Sequence, residues 1–168
     1  YGITKAVGES YLAFYKAQYG LDYSILRYSN VYGPRQMPHG EAGVVAIFIQ
    51  RLLCEQDCVI FGDGSLIRDY VYVGDVARAS VLCLRKGSGQ AYNIGTGKPT
   101  TVKQLYTAVA KTLGLSKLPQ YGPPRTGDIR ANWLSWDKAR KDLGWAPKTT
   151  LDKGLAATAA FFKGRAER

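Results

Sequence analysis

Tyr1 and Lys5 stand four residues apart in "YGITK", a spacing that brings two side chains onto one face of a helix. A phenol titrates at about pH 10, and a neighbouring ammonium lowers that value by favouring the phenolate. Such a pair can serve as a general base toward a substrate hydroxyl near neutral pH. The same spacing also occurs as an ordinary surface pair, so taken alone it leaves both readings open.

The chain carries 23 Lys and Arg against 13 Asp and Glu, a formal net charge of +10. A nucleic-acid surface favours clustered Lys and Arg with interleaved aromatics. Here the basic residues are dispersed, with no run of four, and many fall on apparent helix faces after residue 133. A small anion such as a pyrophosphate needs only two or three well-placed arginines, and that is the preferred reading. No nucleic-acid partner is expected.

Cys54, Cys58 and Cys83 are odd in number and lie within apolar segments, as expected of reduced core thiols. His39 is the single histidine, with no cysteine near it in sequence, so no metal is expected. The longest apolar stretch, "GVVAIFI" at 43–49, is far short of the roughly 20 residues that cross a bilayer. No membrane association and a cytoplasmic location are expected.

The elements that would position these groups alternate. Val7, Tyr11, Phe14 and Tyr15 recur at helical spacing over 4–18, and Gly20 stops the pattern. A strand follows at 23–28, then a Gly- and Pro-rich loop at 30–43, long enough to suspect function. A helix is expected over 44–55, a strand at 58–62, a "GDGS" turn, and a single strand at 68–73. Asp75 reads as the N-cap of the next helix. After a strand at 90–95, "GTGK" (95–98) lacks the spacing and Ser/Thr of a phosphate loop and reads as a turn. Thr101 and Gln104 form a capping-box pattern for a helix ending near Gly114. Ser135 reads as the cap of a helix ended by Gly144, and a last helix covers 150–164. Strands alternating with helices indicate an α/β fold.

Beyond the first pair, "RYSNVYGPRQ" (27–36), "GDGSLIRDYVYVGDVARA" (62–79), "YNIGTGKPTTVKQL" (92–105) and "PRTGDIR" (124–130) follow in order. Together with "YGITK", this series resembles the extended short-chain dehydrogenases/reductases, the NAD-dependent nucleotide-sugar epimerases and dehydratases. The likeness covers essentially all 168 residues. The segment 38–49 is most similar to that family's bacterial UDP-hexose 4-epimerases.

The resemblance implies roles residue by residue. Tyr1 matches the catalytic base, and Lys5 its electrostatic partner, which also binds the nicotinamide ribose. Tyr28 and Ser29 match the backbone passing the nicotinamide, and Asn30 a hydrogen bond to the substrate diphosphate. Gly43 and Val44 match a loop-to-helix junction that touches the nucleotide. Phe61 matches the side chain packed on the base, Arg68 and Arg125 the diphosphate clamp, and Asp128 the acceptor for the ribose hydroxyls. Read structurally, Asn30 could brace a turn, Phe61 could be plain core, and Arg68 could pair with Asp69 or Asp75. Tyr32 and Arg35 divide evenly between loop packing and a substrate role.

The implied reaction is reversible oxidation at sugar C4 through a 4-keto intermediate, interconverting UDP-glucose and UDP-galactose. A dTDP-glucose 4,6-dehydratase or a UDP-glucuronate epimerase is the sister reading, and a non-catalytic nucleotide-sugar-binding module the reading from another class. The family's Gly-rich dinucleotide turn has no match in these residues. The expectation is therefore a C-terminal part, inactive alone. Residues 1–30 would end a Rossmann-like, doubly wound sheet. Residues 31–168 would form mainly the small α/β nucleotide-sugar-binding region, with some segments returning to the core. NAD, a UDP-sugar and a homodimer are implied for the complete enzyme.

Overall fold

The computed structural model describes residues 2–37 and 43–166, with the side chains of 165 and 166 left aside. The periodic segments become helices: α1 (Gly2–Tyr19), α2 (Val44–Leu53), α3 (Val73–Cys83), α4 (Val102–Leu113), α5 (Asp137–Leu143) and α6 (Leu151–Ala166). The strands are short: β1 (Ser24–Tyr28), β2 (Asn30–Tyr32), β3 (Val59–Phe61), β4 (Ile67–Arg68), β5 (Tyr70–Tyr72), β6 (Gln90–Ile94), β7 (Thr100–Thr101) and β8 (Gln120–Gly122). They pair as β1–β6, β2–β5 and β3–β8, all parallel, and as β4–β7, antiparallel. The α/β expectation is met. Residues 90–94 return to pair with 24–28, at the start of the chain.

The β2–β5 ribbon is a wall between two cores. Its register sets Val31 opposite Val71 and Tyr32 opposite Tyr72, and alternation sends successive side chains to opposite faces. Tyr32 and Tyr70 join Val45, Phe48, Leu105 and Leu155 between α2, α4 and α6. Val71 joins Tyr92, Ile94, Leu143 and Trp145 on the other face, under α3 and α5. Tyr32 is thus a core residue, its hydroxyl donating to the Leu151 carbonyl at 3.3 Å. A substrate role is set aside for it.

Several local expectations hold. The Thr101 hydroxyl accepts from the Gln104 amide at 3.1 Å, and the Gln104 side chain accepts from the Thr101 amide at 2.8 Å, a reciprocal capping box. In the "GDGS" turn, Asp63 accepts from the Ser65 amide at 2.9 Å and from its hydroxyl at 2.6 Å. Gly62 and Gly64 there take φ of 75° and 78°, where a side chain would be strained.

Others are corrected. The single strand expected at 68–73 breaks at Asp69 into β4 and β5, which pair with different partners. Asp75 does not cap α3. It lies within the first turn, where it accepts from the Thr149 and Lys148 amides at 2.9 and 3.0 Å and from Arg78 at 2.6 Å. A long-range partner outcompetes the local one. Trp136 rather than Ser135 occupies the cap position of α5, although the Ser135 hydroxyl still accepts from the Asp137 amide at 3.3 Å. β2, β7 and β8 went unforeseen because two or three residues show no period. Of the three cysteines, all free, only Cys58 is buried, while Cys54 is exposed. The stripe on α1 has no buried residue at all, and Tyr11 remains 62% exposed.

Among the described residues, no helix is long and apolar enough to cross a membrane. None of their His, Cys, Asp and Glu side chains cluster as a metal site would need, and His39 lies outside them.

Asp75 ties α3 to the 145–149 segment, since Trp145 also donates its indole N–H to the Asp75 carbonyl at 2.9 Å. Burial pushes this carboxyl up, but the Thr149 amide, Arg78 and the Lys148 amide outweigh it and hold it below the usual range. A depressed pKa contributes stability above the unfolded value of about 3.9 and loses it as pH falls further. Asp75→Asn should cost about 2 kcal/mol or more near neutral pH. Thermal melts should show the gap to wild type narrowing below about pH 4; a gap constant down to about pH 2 would refute the assignment.

Candidate functional site

A cavity of about 440 Å³ opens between α2, β3 and the β4–β5 break. One wall is a stripe of α2, with Val44, Ile47, Phe48 and Arg51 at spacings of three and four. The opposite wall is β3, from Val59 to Phe61. Asn30, Arg68 and Tyr70 stand at one end, and Arg125 and Asp128 come from the loop after β8. Asn30, Gly43, Val44, Phe61, Arg68, Arg125 and Asp128, the seven residues expected at the substrate, all line this one cavity.

Each is placed for a reason. Asn30 and Tyr70 are register partners on β2 and β5, so their side chains share a face. Gly43 precedes α2 without a side-chain cap, so the first-turn amides have no side-chain oxygen from that position. A Cβ on Gly43 would collide with Gln36, whose amide donates to the Val31 carbonyl at 3.0 Å. A side chain at position 43 would displace the Gln36 amide from that bond. Arg68 Nη1 donates to the Ile67 and Ile129 carbonyls at 2.8 and 2.6 Å. These contacts replace the pairing with Asp69 or Asp75 considered above, because Arg78 takes Asp75 and backbone amides take Asp69. The Arg125 guanidinium stacks on Phe61, 3.8 Å from the ring centroid, in a cation–π contact.

Three arginines (Arg51, Arg68 and Arg125) and one carboxylate, Asp128, line the cavity. It is therefore an electropositive, partly apolar cleft that suits a polyanion carrying a flat ring.

Asp69 does the positioning. It is buried, and its carboxylate accepts from the Thr96 amide at 2.9 Å, the Gly97 amide at 3.1 Å and the Leu134 amide at 3.3 Å. Its own carbonyl accepts from the Asn30 amide at 2.8 Å. The "GTGK" segment is thus a turn, as read, and it wraps this carboxylate. A Cβ on Gly95 would collide with the same group.

Of the residues expected at the cofactor, Lys5, Tyr28 and Ser29 do not line this cavity. Lys5 is an exposed residue of α1, and Tyr28 ends β1 half-exposed. Ser29 follows it, with its amide on the Ile94 carbonyl at 3.0 Å and its hydroxyl oxygen buried and, among the described residues, unpartnered. Tyr1 lies outside the described residues.

Sequence reasoning missed Arg51, Tyr70 and Asp69. The stripe at 44, 47, 48 and 51 carried a signal for Arg51. Asp69 was hidden because an acid inside an alternating strand pattern does not announce amide partners elsewhere in the chain. Tyr70 is buried, and among the described residues its hydroxyl has no hydrogen-bond partner. Burial pushes it up to about 12, against the pull of the Arg68 charge. Tyr70→Phe deletes a desolvated, unsatisfied group. Without ligand it should raise stability by about 0.5–1 kcal/mol in denaturant titrations; a clear loss would mean the hydroxyl is satisfied in solution.

A model of the "NAD dependent epimerase/dehydratase family" matches residues 1–95. The chain is 47% identical over 168 residues to a UDP-glucose 4-epimerase of Mycolicibacterium smegmatis, covering 99% of this chain and 54% of that protein. The crystal structure of a UDP-glucose 4-epimerase from Thermotoga maritima with UDP-glucose superposes with a TM-score of 0.97 at 51% identity, over 99% of this chain and 54% of the other. That of the Thermus thermophilus UDP-glucose 4-epimerase, in complex with NAD, gives 0.89 at 44% identity, over 98% and 54%. The chain thus spans about half the length of the relatives it matches.

Proposed function

The chain belongs to the NAD dependent epimerase/dehydratase family, and we propose that it forms the nucleotide-sugar grip of an NAD-dependent 4-epimerase, interconverting UDP-glucose and UDP-galactose. The observation that carries this reading is the convergence of Asn30, Arg68, Arg125, Asp128 and Phe61 on one electropositive cavity. In the proposal, Arg68, Arg125, Asn30 and the amides at the start of α2 hold the diphosphate. Asp128 accepts from the ribose hydroxyls, and Phe61 with the apolar wall takes the base.

Tyr1 takes the proton of the sugar C4 hydroxyl onto its phenolate oxygen and returns it when the hydroxyl re-forms. Lys5, one helical turn on, lowers the cost of that phenolate. NAD, when bound, supplies the hydride acceptor and donor at C4. The orphaned hydroxyl of Ser29 and the half-exposed ring of Tyr28 fit a polar, flat group at the end of β1, and we assign them to its nicotinamide end. The diphosphate clamp holds one end of the substrate while the 4-keto sugar turns its other face. This reaction is proposed for the complete enzyme, with residues 1–30 closing its doubly wound sheet and 31–168 mainly holding substrate. A homodimer belongs to the same proposal. The uncovered apolar face of α1, with Tyr11, Phe14 and Tyr15 exposed, supports a packing partner there.

Calorimetric titration tests the grip. Arg68→Gln and Arg125→Gln should each weaken UDP binding by about 10- to 100-fold, the loss of a charge-assisted contact. Uridine, which lacks the diphosphate, should lose far less affinity. Arg68→Lys should recover only part of it, because an ammonium lacks the planar fork. UDP affinity unchanged in both glutamine variants would overturn the proposal.

A further inference from the structure

We propose that the groove between α4 and the segment returning from it docks an acidic, amphipathic helix of a partner protein. The groove has a volume of about 660 Å³ and shares no lining residue with the cavity described above. One wall is a stripe of α4, with Lys103, Tyr106, Thr107, Ala110 and Lys111 at spacings of three and four. The chain turns at Gly114 and comes back to form the other wall, with Leu115, Leu118 and Tyr121. Buried Tyr106 fixes the two walls to each other, its hydroxyl donating to the Lys117 carbonyl at 2.9 Å. Lys117 in turn pairs with Asp57 at 2.8 Å and donates to the Glu55 carbonyl at 2.7 Å. The groove is therefore preformed, and a ligand does not have to order it.

Two properties coincide in it. Leu115, Leu118 and Tyr121 are all exposed, Leu118 to 83%, so three large apolar side chains meet water on one wall. Apolar groups gathered in this way mark an interaction site, whereas single scattered ones do not. The second property is unbalanced charge, since no Asp or Glu is among the described residues that line the groove. Asp57 occupies Lys117, but Lys103 and Lys111 have no acidic partner among the described residues. Lys103 even stands in the first turn of α4, where the helix dipole disfavours a cation. Its charge does not serve its own helix.

Spacing and charge together select the occupant. Lys103 and Lys111 are eight residues apart on one helix, about 12 Å at 1.5 Å per residue. Two acids seven residues apart on a partner helix lie on one face and span about 11 Å. Apolar residues between those acids then settle against Leu115, Leu118 and Tyr121, a helix laid in a groove. A second copy of this chain is disfavoured by its own net charge of +10. A polynucleotide backbone would pair with the lysines and leave the leucines in water.

Fluorescence anisotropy tests this with a labelled, alanine-based helical peptide of about 20 residues. The probe carries glutamates seven positions apart with leucines between them. One control peptide replaces the glutamates by lysine, and another replaces the leucines by serine. The chain should bind the probe with a Kd of about 1–50 μM and each control at least about tenfold more weakly. Lys103→Glu combined with Lys111→Glu should reverse the preference, taking the lysine peptide over the probe. Leu118→Ser should weaken the probe about tenfold. All three positions are exposed, so these variants should melt as wild type does. Saturating UDP should leave the probe in place, because the two cavities are separate. No binding at about 500 μM probe would overturn the proposal, as would equal affinity for probe and lysine control. Displacement by UDP, or by a short DNA duplex, would do the same, and so would a charge-reversed variant that binds the probe as wild type does.

Discussion

The buried carboxylate of Asp69 interrupts what would otherwise be one continuous strand, and the site depends on that interruption. Backbone amides from Thr96, Gly97 and Leu134 converge on it, gathering the turn after β6 and the segment before α5 around one charge. A buried carboxylate is costly unless its lone pairs are filled, so the amides and the acid enforce each other's positions. Because the chain changes pairing partner at Asp69, Arg68 belongs to β4 and Tyr70 to β5. Both nevertheless line the same cavity.

Around that anchor the two cores divide the work. The cluster under α3 and α5 fixes the face of the β2–β5 ribbon bearing Val71. The cluster under α2, α4 and α6 fixes the face bearing Tyr32 and Tyr70, from which Asn30 and Tyr70 turn toward the cavity. Asp75 plays the matching part on the opposite side, joining α3 to the segment before α6 through the Lys148 and Thr149 amides. The cavity is thus built where both packed layers end, and its positive charge comes from arginines anchored on main-chain carbonyls or an aromatic ring. Arginines held in that way keep their charge available to a ligand.

Legibility in the sequence followed the range of the interaction. The α1, α2 and α4 periods, the Thr101–Gln104 box and the "GDGS" turn were readable because each is satisfied within a few residues. The motif residues at the cavity were identifiable by resemblance to a family, as residue types in order. Asp75 misled because its type suits a local cap, while two chain-distant amides and Arg78 hold it. The apolar stripe of α1 was legible as a helix, but whether it faces a core depends on what packs against it.

By itself the sequence determined the alternation of helices and strands, the excess of basic charge and the identity of the groups able to hold a polyanion. These follow from side-chain type and from periods of two and 3.6 residues, which are local properties. Only the tertiary structure decided that Asn30 and Asp128 face one cavity, that the strand at 68–73 breaks, and that Arg51 belongs to the site. The physical reason is that these outcomes rest on backbone amides and carbonyls as partners. Every residue carries the same ones (proline's missing N–H aside), so no letter of the sequence marks which of them will be used.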